Sequence, residues 1–292
     1  MTAITKDIFS PDGKIQFSDD TFHQFQELMF QKSGVTIENH AKEFVRSRLM
    51  NSVLMRQFSD FRDYFYFLKY DKDREAEIDK VIDLLTIHET YFFREMAQLE
   101  TFSGEILDEL IEKNRTRKTI RIWSAGCSTG EEPYTIAMLM QERKDLRDWR
   151  CEIFATDISS KVLDSARKGL YFDNSFRAMQ DDYLLKYFTP ENGGFRIKEE
   201  IRKQVIFNQG NLADFRQSHF LNEMDLVFCR NVIIYFNLEI KKKVISNFYE
   251  RLKPGGFLLL GHSESLSYVT PMFDLRHFKK DMVYYKNKVS AQ

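Results

Sequence analysis

Gly126, Gly130, Glu132 and Asp157 are the side chains and turn positions best suited to holding a ligand. The two glycines lie in the run Ile120 to Pro133, IRIWSAGCSTGEEP, where a strand-like segment breaks into a turn and a helix opens at Glu131. Glycine tolerates positive φ and lets a ligand reach the backbone without meeting a Cβ. The helix that follows directs its unpaired N–H groups into the same crevice. A second strand-like run, Cys151 to Phe154, leads to Asp157, and a carboxylate at the tip of a second strand accepts hydrogen bonds from a ribose diol. The combination points to a nucleoside ligand; the loop alone also fits an ordinary strand–turn–helix of an α/β sheet.

The spacing discriminates among nucleosides. A dinucleotide fingerprint reads G-x-G-x-x-G with its acid about 20 residues on. Here the glycines are spaced GCSTG and Asp157 comes 31 positions after Gly126. Glu131 and Glu132 stand where a pyrophosphate would sit and would repel it, whereas S-adenosylmethionine has an ammonium group and no phosphate. Three further segments fall at strand ends: GNLAD at 210–214, FCRNVIIYF at 228–236 and GHSES at 261–265. Asn211 and Leu212 suit adenine, while Arg230, Asn231 and Tyr235 would face the reactive end. Alone, VIIYF reads more readily as a buried turn. In LTIHETYFFRE, residues 85–95, the polar His88, Glu89, Thr90 and Arg94 sit among Tyr91, Phe92 and Phe93. This reads as a junction closing over a site, or as a staple with Arg94 in a salt bridge. Cys127, beside a helix start, is expected to be a reactive thiol of lowered pKa.

The elements that must position these groups fall into two patterns. Residues 1–16 read as a loose arm, and 17–95 as a helical domain. Ser18 caps a helix carrying Phe22, Phe25, Leu28 and Met29 on one face, with Gly34 as its stop. Helices follow over His40–Phe58, Phe61–Tyr70 and Glu75–Leu85, then a long one over Glu95–Asn114, with 96–118 a connecting helix and linker ending in the basic NRTRK. From 119 to 292 strands and helices alternate, which makes a parallel, doubly wound α/β sheet. Its strands are Thr119–Ser124, Cys151–Ala155, Gln204–Asn208, Asp225–Cys229 and Gly256–Leu260, closed by an antiparallel pair over Phe273–Lys286. Residues 183–209 read as an inserted β-subdomain with a hairpin at Asn192-Gly193-Gly194.

Composition narrows the class. The chain has 292 residues, a formal net charge of −1 and 27 phenylalanines, and its pI is about 6.6. It therefore lacks the basic character of a nucleic-acid binder. No apolar run is long enough to cross a membrane and nothing near the N-terminus reads as a signal peptide. Three cysteines without metal spacing and six scattered histidines argue against a metal site and for reduced thiols in a cytoplasm. A monomer is expected.

Taken together, LTIHETYFFRE, IWSAGCSTGEEPYTIAM, FATDIS, GNL, FCRNVIIYF and LKPGGFLLLGHSES, in that order, resemble the CheR-type chemotaxis receptor methyltransferases from about residue 20 to 285. The resemblance implies a small helical domain, a Rossmann-like methyltransferase sheet bearing a β-subdomain, and S-adenosylmethionine as cofactor, leaving S-adenosylhomocysteine. It implies methyl transfer to glutamates of chemoreceptor cytoplasmic helices, giving γ-methyl esters. By motif position it implies a cofactor site of His88, Thr90, Arg94, Glu132, Asp157, Asn211, Leu212, Arg230 and Asn231, joined by Gly126 of the loop. His88 departs from the asparagine that many members carry.

Residue chemistry is compatible with that implication. A glutamate carboxylate, with a reference pKa of about 4.3, needs no general base; it needs alignment. Arg94 and Tyr235 are the candidates to orient it, by charge-assisted and hydroxyl hydrogen bonds. In the family a basic helix of the N-terminal domain meets the receptor. Here Lys42, Arg46, Arg48 and Arg56 are the basic residues, against Asn51, Ser52 and Leu54 at positions often basic in relatives, and a merely solvated face fits equally. The loop TPENGG at 189–194 is short for clamping a receptor tail. The other readings are a methyltransferase of a small molecule or RNA, and a non-catalytic sensor of the cofactor.

Overall fold

The computed structural model describes residues 15–214 and 220–287, which divide by their contacts into a unit ending at Ile87 and a second one starting at His88. Most of the arm expected over 1–16 lies outside the described residues. Its last residues are not loose: Ile15 is buried and the Gln16 carbonyl accepts from the Phe61 N–H.

The first unit is four helices, α1 (Asp19–Ser33), α2 (Lys42–Met55), α3 (Phe61–Tyr70) and α4 (Arg74–Leu85). The Ser18 hydroxyl accepts from the Thr21 N–H, and Gly34, at φ 75°, closes α1 with its own N–H on the Phe30 carbonyl. These are the cap and stop expected from the sequence. The core is aromatic, with Phe25, Phe61 and Tyr64 fully buried. The Tyr64 hydroxyl donates to the buried Glu77 carboxylate at 2.8 Å, and Arg56 neutralises that carboxylate at 2.8 Å.

The second unit begins with α5 (Met96–Thr101), a π-helical turn (Phe102–Ile106) and α6 (Leu107–Lys113). The segment expected as a connecting helix and linker is therefore interrupted, and it is no linker. Phe102, Leu107 and Leu110 are buried in this unit's core. Asn114 donates to the Asp225 carboxylate at 3.1 Å, which Lys253 also grips at 2.8 Å. Apolar burial, not the basic NRTRK, decides where this stretch belongs.

The strands are β1 (Thr119–Ala125), β2 (Arg150–Asp157), β3 (Leu170–Tyr171), β4 (Phe188–Glu191), β5 (Gly194–Ile197), β6 (Val205–Gln209), β7 (Met224–Cys229), β8 (Leu252–Leu260), β9 (Asp274–His277) and β10 (Met282–Tyr285). Between them lie α7 (Glu131–Glu142), α8 (Ser160–Lys168), α9 (Asp181–Tyr187), α10 (Glu199–Arg202) and α11 (Leu238–Arg251). The large sheet runs β6-β2-β1-β7-β8-β10-β9. It is parallel through β8, and β10 is antiparallel to both β8 and β9. Every residue of β7 is buried, as a strand covered on both faces requires.

The β-subdomain differs from the expected 183–209. It is a three-stranded sheet, β3-β5-β4, that starts at Leu170 and ends at Ile197, and 205–209 is a main-sheet strand. Two-residue β3 carries too few residues to show a strand period. The hairpin is where it was read: Glu191 pairs with Gly194, and Asn192 and Gly193 have φ of 49° and 76°, a two-residue primed turn.

Candidate active site

The chain winds from β1 outward through β2 to β6, then restarts on the other side of β1 with β7 and β8. That reversal opens a crevice at the carboxyl ends of β1 and β7, and the site residues of the second unit are distributed around it.

The loop after β1 is held by β2. The Gly126 and Cys127 N–H groups donate to the Thr156 carbonyl at 2.8 and 2.9 Å. Asp157 accepts from the Ser128 N–H at 2.8 Å and the Ser159 N–H at 3.0 Å. Asp157 thus builds the loop as well as facing the crevice. Gly126 has φ 79°, and a Cβ there would come within 2.5 Å of Val232. The glycine is required both by conformation and by the close approach of the loop after β7.

Glu131 and Glu132 do not form a solvated pair. Glu131 is buried and accepts from the Thr129 and Ser175 hydroxyls at 2.6 and 2.9 Å. Glu132 accepts from the Ser124 hydroxyl at 2.7 Å and pairs with Arg230 at 3.4 Å. Burial raises both carboxyls, and for Glu132 the Arg230 charge opposes the rise. Arg230, whose side chain is 3 % exposed, also pairs with Glu95 at 3.1 Å and donates to the Arg94 carbonyl. Burial would raise the Glu95 carboxyl too, but Arg230 overrides it and holds the group below its ordinary range. Buried charges persist only when paired in this way.

Segment 88–95 lies along the same crevice. The His88 carbonyl accepts from the Ser128 hydroxyl at 3.1 Å, so the backbone of His88 meets the loop. Thr90 is half-buried beside it. Arg94 donates to the Glu89 carbonyl at 2.8 Å. Burial raises the Tyr235 hydroxyl and the Arg94 charge opposes this, so Arg94 acts electrostatically on the other expected acceptor-orienting group. Leu212 is buried, and the Asn211 carboxamide accepts from the Ala213 N–H at 2.9 Å, fixing the turn after β6.

Two carboxylates here were not singled out from the sequence. Glu95 is one. The other is Glu264, which accepts from the N–H groups of Gly261 (2.7 Å), Asn231 (2.8 Å), Val232 (2.9 Å) and Ile234 (3.3 Å). It ties the turn after β8 to the loop after β7, and holds Asn231 at φ 59°. The GHSES segment marked the place, but residue type gives no sign that one carboxylate would gather four amides.

Cys127 overturns its expectation. It is 2 % exposed; burial, then the negative charges of Asp157 and Glu132, push its thiol well up. It is a buried core side chain whose thiol stays protonated more readily than a free one, because desolvation of the thiolate outweighs the adjacent helix start. Of the four basic residues expected at a docking face, Lys42 pairs with Asp19 at 2.6 Å, Arg46 with Glu43 at 3.3 Å and Arg56 with Glu77 at 2.8 Å. Arg48 rests over Phe44 at 5.2 Å, and among the described residues no carboxylate lies within ion-pair distance of it. Described residues include no cluster suited to a metal ion and no helix long and apolar enough to cross a membrane.

The crevice fits a cationic nucleoside. The Asn231 side-chain oxygen is buried and takes no hydrogen bond from the described residues, an acceptor suited to an ammonium or hydroxyl donor. Glu132 and Asp157 supply negative charge, and the loop has no room for a larger residue at Gly126.

The family model described as "CheR methyltransferase, SAM binding domain" matches residues 88–282, and "CheR methyltransferase, all-alpha domain" matches 20–86. Chemotaxis protein methyltransferase 2 of Vibrio cholerae is 38 % identical over 276 residues, covering 94 % of this chain and 95 % of its own. The chemotaxis protein methyltransferase of Escherichia coli K12 is 32 % identical over 267 residues, 90 % of each chain. The crevice therefore belongs to an enzyme that uses S-adenosylmethionine as methyl donor in chemotactic adaptation, and the chain is a member of the CheR methyltransferase family.

Proposed function

We propose that the enzyme methylates glutamate side chains on the cytoplasmic helices of chemoreceptors, forming γ-methyl esters. The observation that carries this is that the Arg94 charge reaches the Tyr235 hydroxyl at the crevice, with no base–nucleophile hydrogen bond beside them among the described residues. An alcohol or amine acceptor would need a proton removed; a carboxylate does not.

In this reading the cofactor is held by His88, Thr90, Gly126, Glu132, Asp157, Asn211, Leu212, Arg230 and Asn231, and it supplies a methyl group activated by a sulfonium. Asp157 orients the ribose while holding the loop. Asn231 offers its side-chain oxygen to a donor. In the Glu95–Arg230–Glu132 network Arg230 holds the Glu95 carboxyl below its ordinary range and opposes the rise that burial imposes on Glu132, which leaves Arg230 committed rather than free to bind the acceptor. Arg94 gathers the incoming carboxylate and Tyr235 donates a hydroxyl hydrogen bond, so that orientation lowers the barrier. Docking engages the α2 face through Arg48, and the enzyme acts as a monomer in the cytoplasm, where receptor helices are reached.

The test is incubation with methyl-labelled S-adenosylmethionine and the helical cytoplasmic fragment of a chemoreceptor from the same organism. Carboxyl methyl esters release methanol in mild base, whereas N-methyl products do not. Base-labile label on receptor glutamates is the expected result. Base-stable label, or label on RNA or a metabolite, would sink the assignment.

A further inference from the structure

Arg177 follows the short helical turn Asp173–Phe176 and has no part in the chemistry above. Its guanidinium carbon lies 3.8 Å from the centroid of the Tyr91 ring, and that of Arg94 lies 5.7 Å from the same ring. A guanidinium against an aromatic face keeps its in-plane N–H donors for a carboxylate, and it is weakly hydrated enough to exchange partners. Arg177 pairs with Glu89 at 2.8 Å, but the two side chains are 43 % and 68 % exposed, so the pair contributes little and is easily displaced. Glu89 is also tied to the acceptor side. Its carbonyl accepts from Arg94, and its charge, like that of Arg94, acts on the Tyr235 hydroxyl.

Arg94 of the acceptor-orienting pair and Arg177 therefore lie over one phenol ring, and only one guanidinium is needed for the reacting carboxylate. We propose that Arg177 is a specificity-determining residue that binds a second carboxylate of the acceptor segment, on a residue neighbouring the methylated glutamate, and that Glu89 occupies Arg177 until that carboxylate displaces it. This rests on the reading of glutamate as acceptor. The geometry favours an acidic protein segment because Arg177 already donates one hydrogen bond to a carboxylate, that of Glu89 at 2.8 Å, with its guanidinium over the Tyr91 ring and further N–H donors left for a second.

The experiment uses the full chain, labelled S-adenosylmethionine and two receptor cytoplasmic fragments. In one the acidic residue nearest the methylated glutamate is kept, and in the other it is replaced by glutamine. Wild-type enzyme should show a KM about two- to fivefold lower for the acidic fragment, the size expected of a half-exposed ion pair. Arg177→Gln should abolish that preference. Glu89→Gln should lower KM for the acidic fragment by about twofold, because the competing carboxylate is gone. S-adenosylhomocysteine affinity, measured by calorimetry, should be unchanged in both variants. A clamp that merely holds segment 88–95 would move both variants in the same direction and weaken S-adenosylhomocysteine together with the acceptor, and that result overturns the proposal. Equal preference in wild type and Arg177→Gln overturns it as well. Failure of the wild type to place base-labile label on either fragment would instead remove the glutamate reading and the inference with it.

Discussion

Glu264 shows how much of this site rests on a carboxylate that need not touch a ligand. With four backbone donors on two oxygens, a neutral amide in its place would turn its N–H₂ toward N–H groups. Glu264→Gln should therefore cost about 1–3 kcal/mol of stability, the penalty for buried donors left unmade, and weaken S-adenosylhomocysteine through Asn231. Thermal unfolding and calorimetry would check both; an unchanged melting temperature would show that the loop holds itself. Glu95 makes a different statement. Its folded pKa is depressed below the ordinary 4.5, so its stabilisation is fully present above that value and lost as pH falls through the folded pKa. The stability difference between wild type and Glu95→Gln should stay constant above about pH 5.5 and shrink on acidification, measured by denaturant unfolding across pH. Thiols provide a third check. Cys127 and Cys229 are buried, and burial raises Cys151 to about 11. Since the thiolate is the nucleophile, all three should react slowly at pH 8 in the native protein and rapidly after denaturation; fast stoichiometric labelling of the native enzyme would contradict the burial of the loop.

Turns decide the elements, and two glycines separate conformation from crowding. Gly126 and Gly193 both have positive φ, but a Cβ at Gly126 meets Val232 at 2.5 Å whereas Gly193 has open space. Gly193→Ala should cost about 1 kcal/mol, from backbone strain alone. Gly126→Ala should cost more and also weaken S-adenosylhomocysteine, because the loops after β1 and β7 must part. Equal melting temperatures for the two variants would show that Val232 yields freely. The π turn Phe102–Ile106 was not legible, since the surrounding apolar spacing still reads as one helix. β8 likewise starts at Leu252, earlier than Gly256, through an irregularity opposite Met224 and Leu226. A bulge of that kind leaves no period to read.

For the whole molecule, the electrostatics of acceptor docking follow from how few basic residues remain uncommitted. Lys42, Arg46 and Arg56 are each paired within the helical unit. Arg48→Ala should therefore raise KM for the receptor fragment more than Lys42→Ala, and the difference should fade with salt, since exposed charges are screened over about 8–10 Å. Identical KM values, or an effect insensitive to salt, would leave α2 a solvated face. The order of the large elements was legible in the chain alone, because period, caps and glycine turns are local properties. The family was legible too, through motifs in a fixed order, whereas the loop taken alone left an ordinary strand–turn–helix open. Which charges are spent and which remain emerges only from packing. Arg230 is paired with Glu95 and Glu132, Arg56 with Glu77, and Cys127 lies in the core, while Glu264 gathers amides from two separate loops. Partners distant in sequence meet by packing, and a carboxylate or thiol takes its chemistry from what surrounds it, which no local pattern encodes.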